Sequence, residues 1–456
     1  MTEGTQAAGL TEFLAFRATN LAYQDIAEQA RDLARQCVLD YFGVAIAGAH
    51  DPLVQMLLSE LTEAGGAPQA SLIGREGRLP ALSAALVNGA AAHALDYDDV
   101  NMAMPGHPSV AILPGLLALG ELKGSCGRDV VTAFVAGYET ACRIGAALQP
   151  GHYNIGFHST ATVGSFGAAA ACARLLGLQT QGTAVALGIA ATQAAGLKSQ
   201  FGTMCKPFHA GKASQNGLLA ARLAARGFSS RTDIVECVQG FAATHGPTFA
   251  AEVALATPEK GLHLFANLFK YHAACYFTHA PIECARQLRS RHQLTPEAIA
   301  GATLRLDASC ERVCNIAAPR DGLQSKFSLR QTVAMALAGV DTASLGAYSV
   351  DNALDPMLIG LRERVTFDWQ ESWPQTLAEL DIELANGQHV TARHDAGIPN
   401  PDTNDQGHRL AAKFDALVEP VLGAPRTREL RETITGLDAL ADIGSLARLA
   451  AEVRQS

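Results

Sequence analysis

The stretch Pro108–Leu122, PSVAILPGLLALGEL, is apolar on nearly every side. A helix with one wet face would intersperse charged residues at a period of 3.6, whereas one that is apolar all round must be covered all round. The run is therefore expected to form a central buried helix. Its start is marked by Gly106-His107-Pro108-Ser109. A helix beginning there would aim its free N–H groups at any nearby anion.

Working outward, the neighbouring segments also read as helices. Asp25–Ile46 places Ile26, Ala30, Leu33, Cys37 and Tyr41 at three- and four-residue steps, with Asp25 as a candidate cap. Ala70–Gly74 is a short β-like piece. Leu82–Leu95 is Ala-rich and ends at Asp96, Asp98 and Asp99. Arg128–Leu148, Thr160–Leu176, Gly182–Leu197 and Ala213–Ala225 complete the set. Gly and Ala recur in them (Gly164, Gly167 and Ala168–Ala171), so close helix approach and a dense helical core are expected. Gly177 and Gly227 suit helix ends.

The pattern changes near residue 265. Thr303–Ala308 alternates with period two. Leu377–Leu384 does so more clearly, with Ala378, Leu380, Ile382 and Leu384 on one side and Glu379, Asp381 and Glu383 on the other. Asn386-Gly387 follows, a strong hairpin signal. Helices are expected near Pro281–Arg291 and Lys326–Leu337, and Ile398–Asp405 reads as a turn-rich linker. The fold class is thus mainly α. A large all-helical domain spans 1–267, a smaller α/β unit 268–396, and helices over 397–456 return to the first domain.

Composition narrows the function. In 456 residues, 48% are apolar and 17% charged, and the net charge is -9. No basic run of five appears, which argues against nucleic acid as a partner. The ten cysteines are scattered, and the near pairs Cys310/Cys314 and Cys275/Cys284 lack a second pair to complete a zinc site. They read as reduced thiols of a cytoplasmic compartment. The opening MTEGTQAAGLTEFL has no signal-like apolar core, and no stretch reaches the ~18 apolar residues of a membrane span.

Four places combine ionisable groups with turn chemistry. In Ser199–Asn216, SQFGTMCKPFHAGKASQN, Lys206, His209 and Lys212 lie on what reads as a Gly-broken turn. A solvated loop is the plain interpretation. A cationic pocket wall for a small anion is the sharper one, since a lysine ammonium is a compact point charge. In His93–Ser109, three acids fall within four residues and His107 precedes the buried helix. His158 stands before Ser159-Thr160 at another helix start. Lys270–Pro281 carries Lys270, His272, Tyr276 and His279 at the expected domain boundary, a common location for ligand sites. Dinucleotide, P-loop, nucleophile-elbow and HExxH motifs are absent. An acid, several histidines and several lysines suit cofactor-free acid–base chemistry on a polyanion.

The motifs VNGAAAHALDYDDVNMAMPGHPSVAILP, GFHSTATVGSFGAAA, FGTMCKPFHAGKASQNG and KYHAACYFTHAPIE together resemble the MmgE/PrpD family. PRDGLQSKFSLRQTVAMAL and PNPDTNDQGHRLAAKF resemble its later segments, so the likeness covers about residues 10–450. That family includes 2-methylcitrate dehydratase, cis-aconitate decarboxylase and iminodisuccinate epimerase. The resemblance implies a helical domain with an α/β lid, a homodimer, no metal or other cofactor, and a small di- or tricarboxylate substrate. It places active-site residues at Asp96, His107, His158, Lys206, Lys270 and His279. In the resulting expectation His107 and His158 exchange protons with the substrate and Asp96 orients a histidine. Lys206, with Lys270 or His279, holds carboxylates, and His209 lines the same wall. The dehydratase and the decarboxylase carry Thr where Val100 stands, and the dehydratase carries Asp-Asn where Val110-Ala111 stand. Both changes remove polar contacts for a hydroxylated substrate. Dehydration is the first expectation, with epimerisation or decarboxylation as alternatives and a non-catalytic anion-binding protein as the contrasting class.

Overall fold

In the computed structural model, described over residues 9–451, helices dominate. Met1–Ala8, part of the opening stretch read above, lie outside the described residues. The chain divides into two compact units, with the cuts at Asn267/Leu268 and Pro399/Asn400.

The first unit begins its long helices with α1 (Glu28–Gly48). Asp25 does not cap it. Its carboxylate accepts from the Ala22 N–H and closes a separate 3-10 turn, Tyr23–Asp25, leaving Ala27 at the helix start. Then come α2 (Ala81–His93), α3 (Pro108–Lys123), α4 (Gly127–Ala147), α5 (Ser159–Leu176) and α6 (Cys205–Ala224). The all-round apolar run is α3, buried from Pro108 through Gly120 and packed on α2, α4, α5 and α6. Ile112, Leu113 and Leu116 are fully buried, each worth roughly 2 kcal/mol of transfer free energy.

Two expected segments change. The Gly182–Leu197 helix runs only over Thr180–Ala191. Gly196, at φ +141°, turns the chain so that its carbonyl accepts from the His158 N–H. The Ser199–Asn216 stretch is not a turn throughout, because α6 takes it over from Cys205. Gly211 reads as a breaker but is a contact residue. A Cβ there would meet the Leu86 carbonyl at 2.2 Å, and one on Gly89 would meet the Gly211 Cα at 2.7 Å. The two glycines let α2 and α6 touch backbone to backbone. That closeness brings Lys206 and the acidic turn after α2 into one place.

The second unit holds α7 (His279–His292) and α8 (Leu329–Ala338), packed together, and a four-stranded sheet. Its strands are β1 (Ile299–Asp307), β2 (Val365–Gln370), β3 (Leu377–Leu384) and β4 (His389–Asp395), in the order β2-β1-β3-β4. Only the β1–β2 pair is parallel. Ala378, Leu380 and Ile382 are buried, as the alternation requires, and Gly387 at φ +81° makes the hairpin turn. Leu384, at the hairpin end, is only half-buried.

The chain rejoins the first unit with α9 (Thr403–Leu422), capped by Asp402 and packed on α1. From α9, Lys413 Nζ donates to Asp40 Oδ1 of α1 and to the Tyr97 carbonyl, both at 2.6 Å. The C-terminal segment thereby fastens the turn that carries Asp96 and Asp98. No helix among the described residues is long and apolar enough to cross a membrane.

Candidate active site

Four segments of the first unit supply the site. Helix α2 ends at His93. The turn after it passes through Asp96 at φ +52°, a left-handed conformation that Asp tolerates better than bulky residues do. This reversal lets Asp96 and Asp98 serve different partners. His107 stands at the start of α3, directly before Pro108, and its N–H donates to Thr160 Oγ1 of α5 at 3.0 Å. His158 stands at the start of α5. Both histidines therefore sit where free helix N–H groups concentrate partial positive charge. Helix α6 contributes Lys206 in its first turn and His209 one turn on.

Distances tie these groups together. Lys206 Nζ donates to Asp96 Oδ1 at 2.6 Å, and His107 Nε2 lies 3.9 Å from the same oxygen. Asp98 Oδ1 is 2.9 Å from His93 Nδ1, and Asp98 Oδ2 is 2.9 Å from His107 Nδ1. His158 Nδ1 faces His209 Nδ1 at 3.1 Å, so one ring must donate and the other accept. The His107 and His158 ring centroids are 6.5 Å apart, and His93 lies 4.5 Å from the first and 5.9 Å from the second. None of the seven residues is more than 9% exposed.

Burial and mutual charge set the protonation pattern. Burial alone would raise the Asp98 carboxyl, but the adjacent His107 and His93 rings outweigh it and hold it well below the usual carboxylate range. Burial pushes His93 down to about 4, against the attraction of Asp98. His158 is also driven down, first by burial and then by His93, Lys206 and His107. His209 follows, from burial and then Lys206. Deeper in, burial and then the Asp40 charge push Asp99 up to about 8, while Ser109 donates to it through Oγ at 2.5 Å. The site thus presents His158 as a neutral ring and Asp98 as a firm carboxylate.

Asp96, His107, His158, Lys206 and His209 meet in this unit. The role expected of Asp96 falls differently. Its closest partner is Lys206, and Asp98 contacts the histidine ring at shorter range. His93 and Asp98 lie within a motif quoted above, yet nothing in sequence says which acid of the cluster turns toward a ring. That depends on the left-handed residue between them. Lys212, half-buried, turns away and donates to Gln215 Oε1 at 2.7 Å. Lys270 and His279 belong to the second unit, where both are buried. There the His279 ring lies 5.0 Å from His272 and 4.9 Å from Tyr276. His272 contacts Glu283 at 2.9 Å and Thr342 Oγ1 at 2.8 Å.

One four-residue donor set stands out among the described residues. His93, Asp96, Asp98 and His107 offer atoms all within 4.8 Å of one another. The Lys206 ammonium already lies against Asp96, however, and both Asp98 oxygens are turned to imidazole nitrogens.

Comparison with known proteins agrees with this architecture. The family model of the MmgE/PrpD N-terminal domain matches residues 12–253, and that of the MmgE/PrpD C-terminal domain matches 272–439. The chain is 29% identical to a cis-aconitate decarboxylase of Aspergillus terreus, across 97% of this chain and 96% of that protein. It is 26% identical to a cis-aconitate decarboxylase of Mus musculus, across 91% and 88%. A shorter match to the Homo sapiens cis-aconitate decarboxylase is 36% identical over 36% of this chain and 35% of that protein.

Proposed function

The chain belongs to the MmgE/PrpD family, and from that premise we propose that it is a lyase that decarboxylates a small unsaturated tricarboxylate of the cis-aconitate kind. The observation that carries this reading is the buried His107/His158 pair beside the Lys206–Asp96 contact, in a chain that aligns end to end with a named decarboxylase. The sequence alone put dehydration first. Val110 and Ala111 favour the alternative, since both are fully buried where resemblance to the dehydratase expects Asp-Asn. Ala111 also packs on Gly164, where an added Cβ would meet its own Cβ at 2.6 Å, so a longer side chain at 111 has little room.

The proposed step breaks the bond between the substrate's methylene carbon and its carboxylate, releasing CO2. The freed electron pair forms a new double bond to the central carbon. The old double-bond pair moves to the far carbon, next to a second carboxylate, and takes a proton there. One proton is consumed and nothing is oxidised. His107 suits the donor role, because the Asp98 carboxylate 2.9 Å from its Nδ1 orients the ring and leaves Nε2 for the substrate. His158, held neutral, donates a hydrogen bond to a substrate carboxylate or returns the proton through His209. Lys206 and the N–H groups at the starts of α3 and α5 stabilise negative charge as it spreads over the remaining carboxylates. Lys270 and His279 are proposed to bind carboxylate from the second unit.

The charge balance of this scheme is met by side chains, without a metal or organic cofactor. A cytoplasmic homodimer completes the proposal. All ten cysteines are free thiols, and light scattering should give twice the chain mass at micromolar concentration. The deciding assay incubates the protein with cis-aconitate in deuterated buffer. Equimolar CO2 and a product with a terminal methylene and one deuterium beside a carboxylate are expected. Alkene formation from a hydroxy-tricarboxylate without CO2 would instead identify a dehydratase. Deuterium wash-in to recovered substrate alone would identify an epimerase.

A further inference from the structure

We propose that His93 is a positioning residue that acts through Asp98: its Nδ1–H holds the carboxylate and keeps it beside His107 Nδ1, which orients the His107 ring so that Nε2 is left for the substrate. The proposal deepens the reading of His107 as proton donor and rests on it.

The geometry is a bridge. The His93 Nδ1–H is shared between both Asp98 oxygens, 2.9 Å from Oδ1 and 3.0 Å from Oδ2, while Oδ2 stands 2.9 Å from His107 Nδ1 as a charge contact rather than an aligned hydrogen bond. Asp98 and His93 are both about 1% exposed. A carboxylate held at one oxygen alone can still rotate about its last torsion, whereas one engaged at both oxygens has a single setting. A metal-ligating or catalytic imidazole is commonly oriented by a carboxylate at its other nitrogen, and here that carboxylate is itself oriented by a second imidazole.

His93 carries a further mark of this role. Its Nε2 is buried and has no hydrogen-bond partner among the described residues. A histidine kept only for packing would be expected to satisfy both nitrogens or to be replaced by an apolar ring. The hydrogen bonding of His93 is instead committed to Asp98. One carboxylate also balances one imidazolium. With the two rings 4.5 Å apart, protonating both at once is disfavoured. Of the two rings, His107 is the one whose Nε2 also faces a second carboxylate, Asp96 at 3.9 Å. Also near His107 are the His158 ring on α5, 6.5 Å away, and Lys206 on α6, which reaches the same Asp96 oxygen.

The test uses the full-length protein carrying 13Cε1-labelled histidine, with His107→Asn to assign the His107 signal. His93→Asn keeps a donor where Nδ1 stood, His93→Gln places its amide at the Nε2 position, and His93→Leu has no donor. In free protein, Leu and Gln should lower the His107 titration midpoint by about one pH unit or more, because Asp98 is no longer held against the ring. Asn should leave it close to wild type. In turnover of cis-aconitate, Leu and Gln should lower kcat roughly 10- to 100-fold with little change in KM, and Asn should restore most of it. Variants that melt normally with an unmoved His107 midpoint would overturn the proposal, as would Gln matching Asn. Should the wild type not act on cis-aconitate, the substrate reading fails, while the titration still decides the role of His93. Should Leu not fold, the Asn/Gln contrast decides it.

Discussion

Lys206 Nζ and Asp96 Oδ1 stand 2.6 Å apart although 110 positions separate them in the chain. Each side chain is less than 10% exposed. Breaking a buried ion pair leaves a poorly compensated charge and typically costs about 3–5 kcal/mol, whereas replacing both partners costs much less. Lys206→Ala should therefore lower stability and raise KM for a tricarboxylate at least about tenfold, since its ammonium is proposed to bind ground and transition states alike. Combining Lys206→Ala with Asp96→Asn should recover much of the stability without the activity. Thermal melts on the four-member cycle check this. Simple additivity would show that the two side chains do not interact energetically.

Removal of the proposed proton donor has a different signature. His107→Ala should lower kcat by roughly 10²–10⁴ with a small change in KM. A melting curve on the same protein separates chemistry from folding, because a ring that merely fills a helix start would lose stability and activity in parallel. Normal melting with near wild-type turnover would remove His107 from the mechanism.

The helical unit was legible where burial writes itself into composition. The run that became α3 admits few other fates, and the Ala378/Leu380/Ile382 alternation with Asn386-Gly387 specifies a hairpin just as directly. The residues proposed for acid–base chemistry were legible as types at helix starts, His107 and His158 above all. Contacts that depend on exact geometry were not. Gly211 looks like punctuation until Gly89 is set against it. Asp96 and Asp98 are equivalent in sequence until the positive φ at Asp96 sends one toward Lys206 and the other toward two rings. His93 reads as the end of an Ala-rich helix, because its partner lies beyond a turn whose direction no pattern encodes.

Asp99 gives a pH signature in stability. Its carboxyl is held up to about 8 by burial and then by Asp40, against an ordinary value near 3.8. The folded chain then keeps a proton that the unfolded chain loses between about pH 4 and 8. The contribution of this group is therefore greatest below pH 4, falls as pH rises through that window at up to about 1.4 kcal/mol per unit, and levels off above it. Asp99→Asn, which can still accept from Ser109, removes the titration. The Tm difference between Asn variant and wild type should grow in the variant's favour from pH 5 to pH 8 and stay constant above. A difference independent of pH would contradict a protonated Asp99.

Lys413 is expected to matter to a site it does not touch. Its ammonium balances Asp40 and holds the Tyr97 carbonyl, the residue between Asp96 and Asp98. Lys413→Met should destabilise the fold by a few kcal/mol and release the acidic turn. At temperatures where the variant remains folded, kcat should still fall. Wild-type kcat in that folded variant would show that α9 supports the core but not the turn.

The last expectation concerns cations. His93, Asp96, Asp98 and His107 bring four donor atoms within 4.8 Å, a grouping that suits a divalent ion in number and type. Their present partners oppose that use. A metal would have to draw Asp98 away from two imidazoles and displace the Lys206 ammonium from Asp96, or accept a like charge close by. Lys206 thus does for the site what an ion would otherwise do, supplying positive charge beside the carboxylates. Exhaustive EDTA treatment should leave turnover unchanged, and excess zinc should inhibit by competing for the same donors. Lys206→Ala should reverse the preference. With the ammonium gone, zinc should bind and raise Tm by several degrees at micromolar concentration, as ligand linkage requires. Activity lost to EDTA and restored by a divalent ion would instead make the cluster a resident metal centre and move Lys206 out of the charge balance.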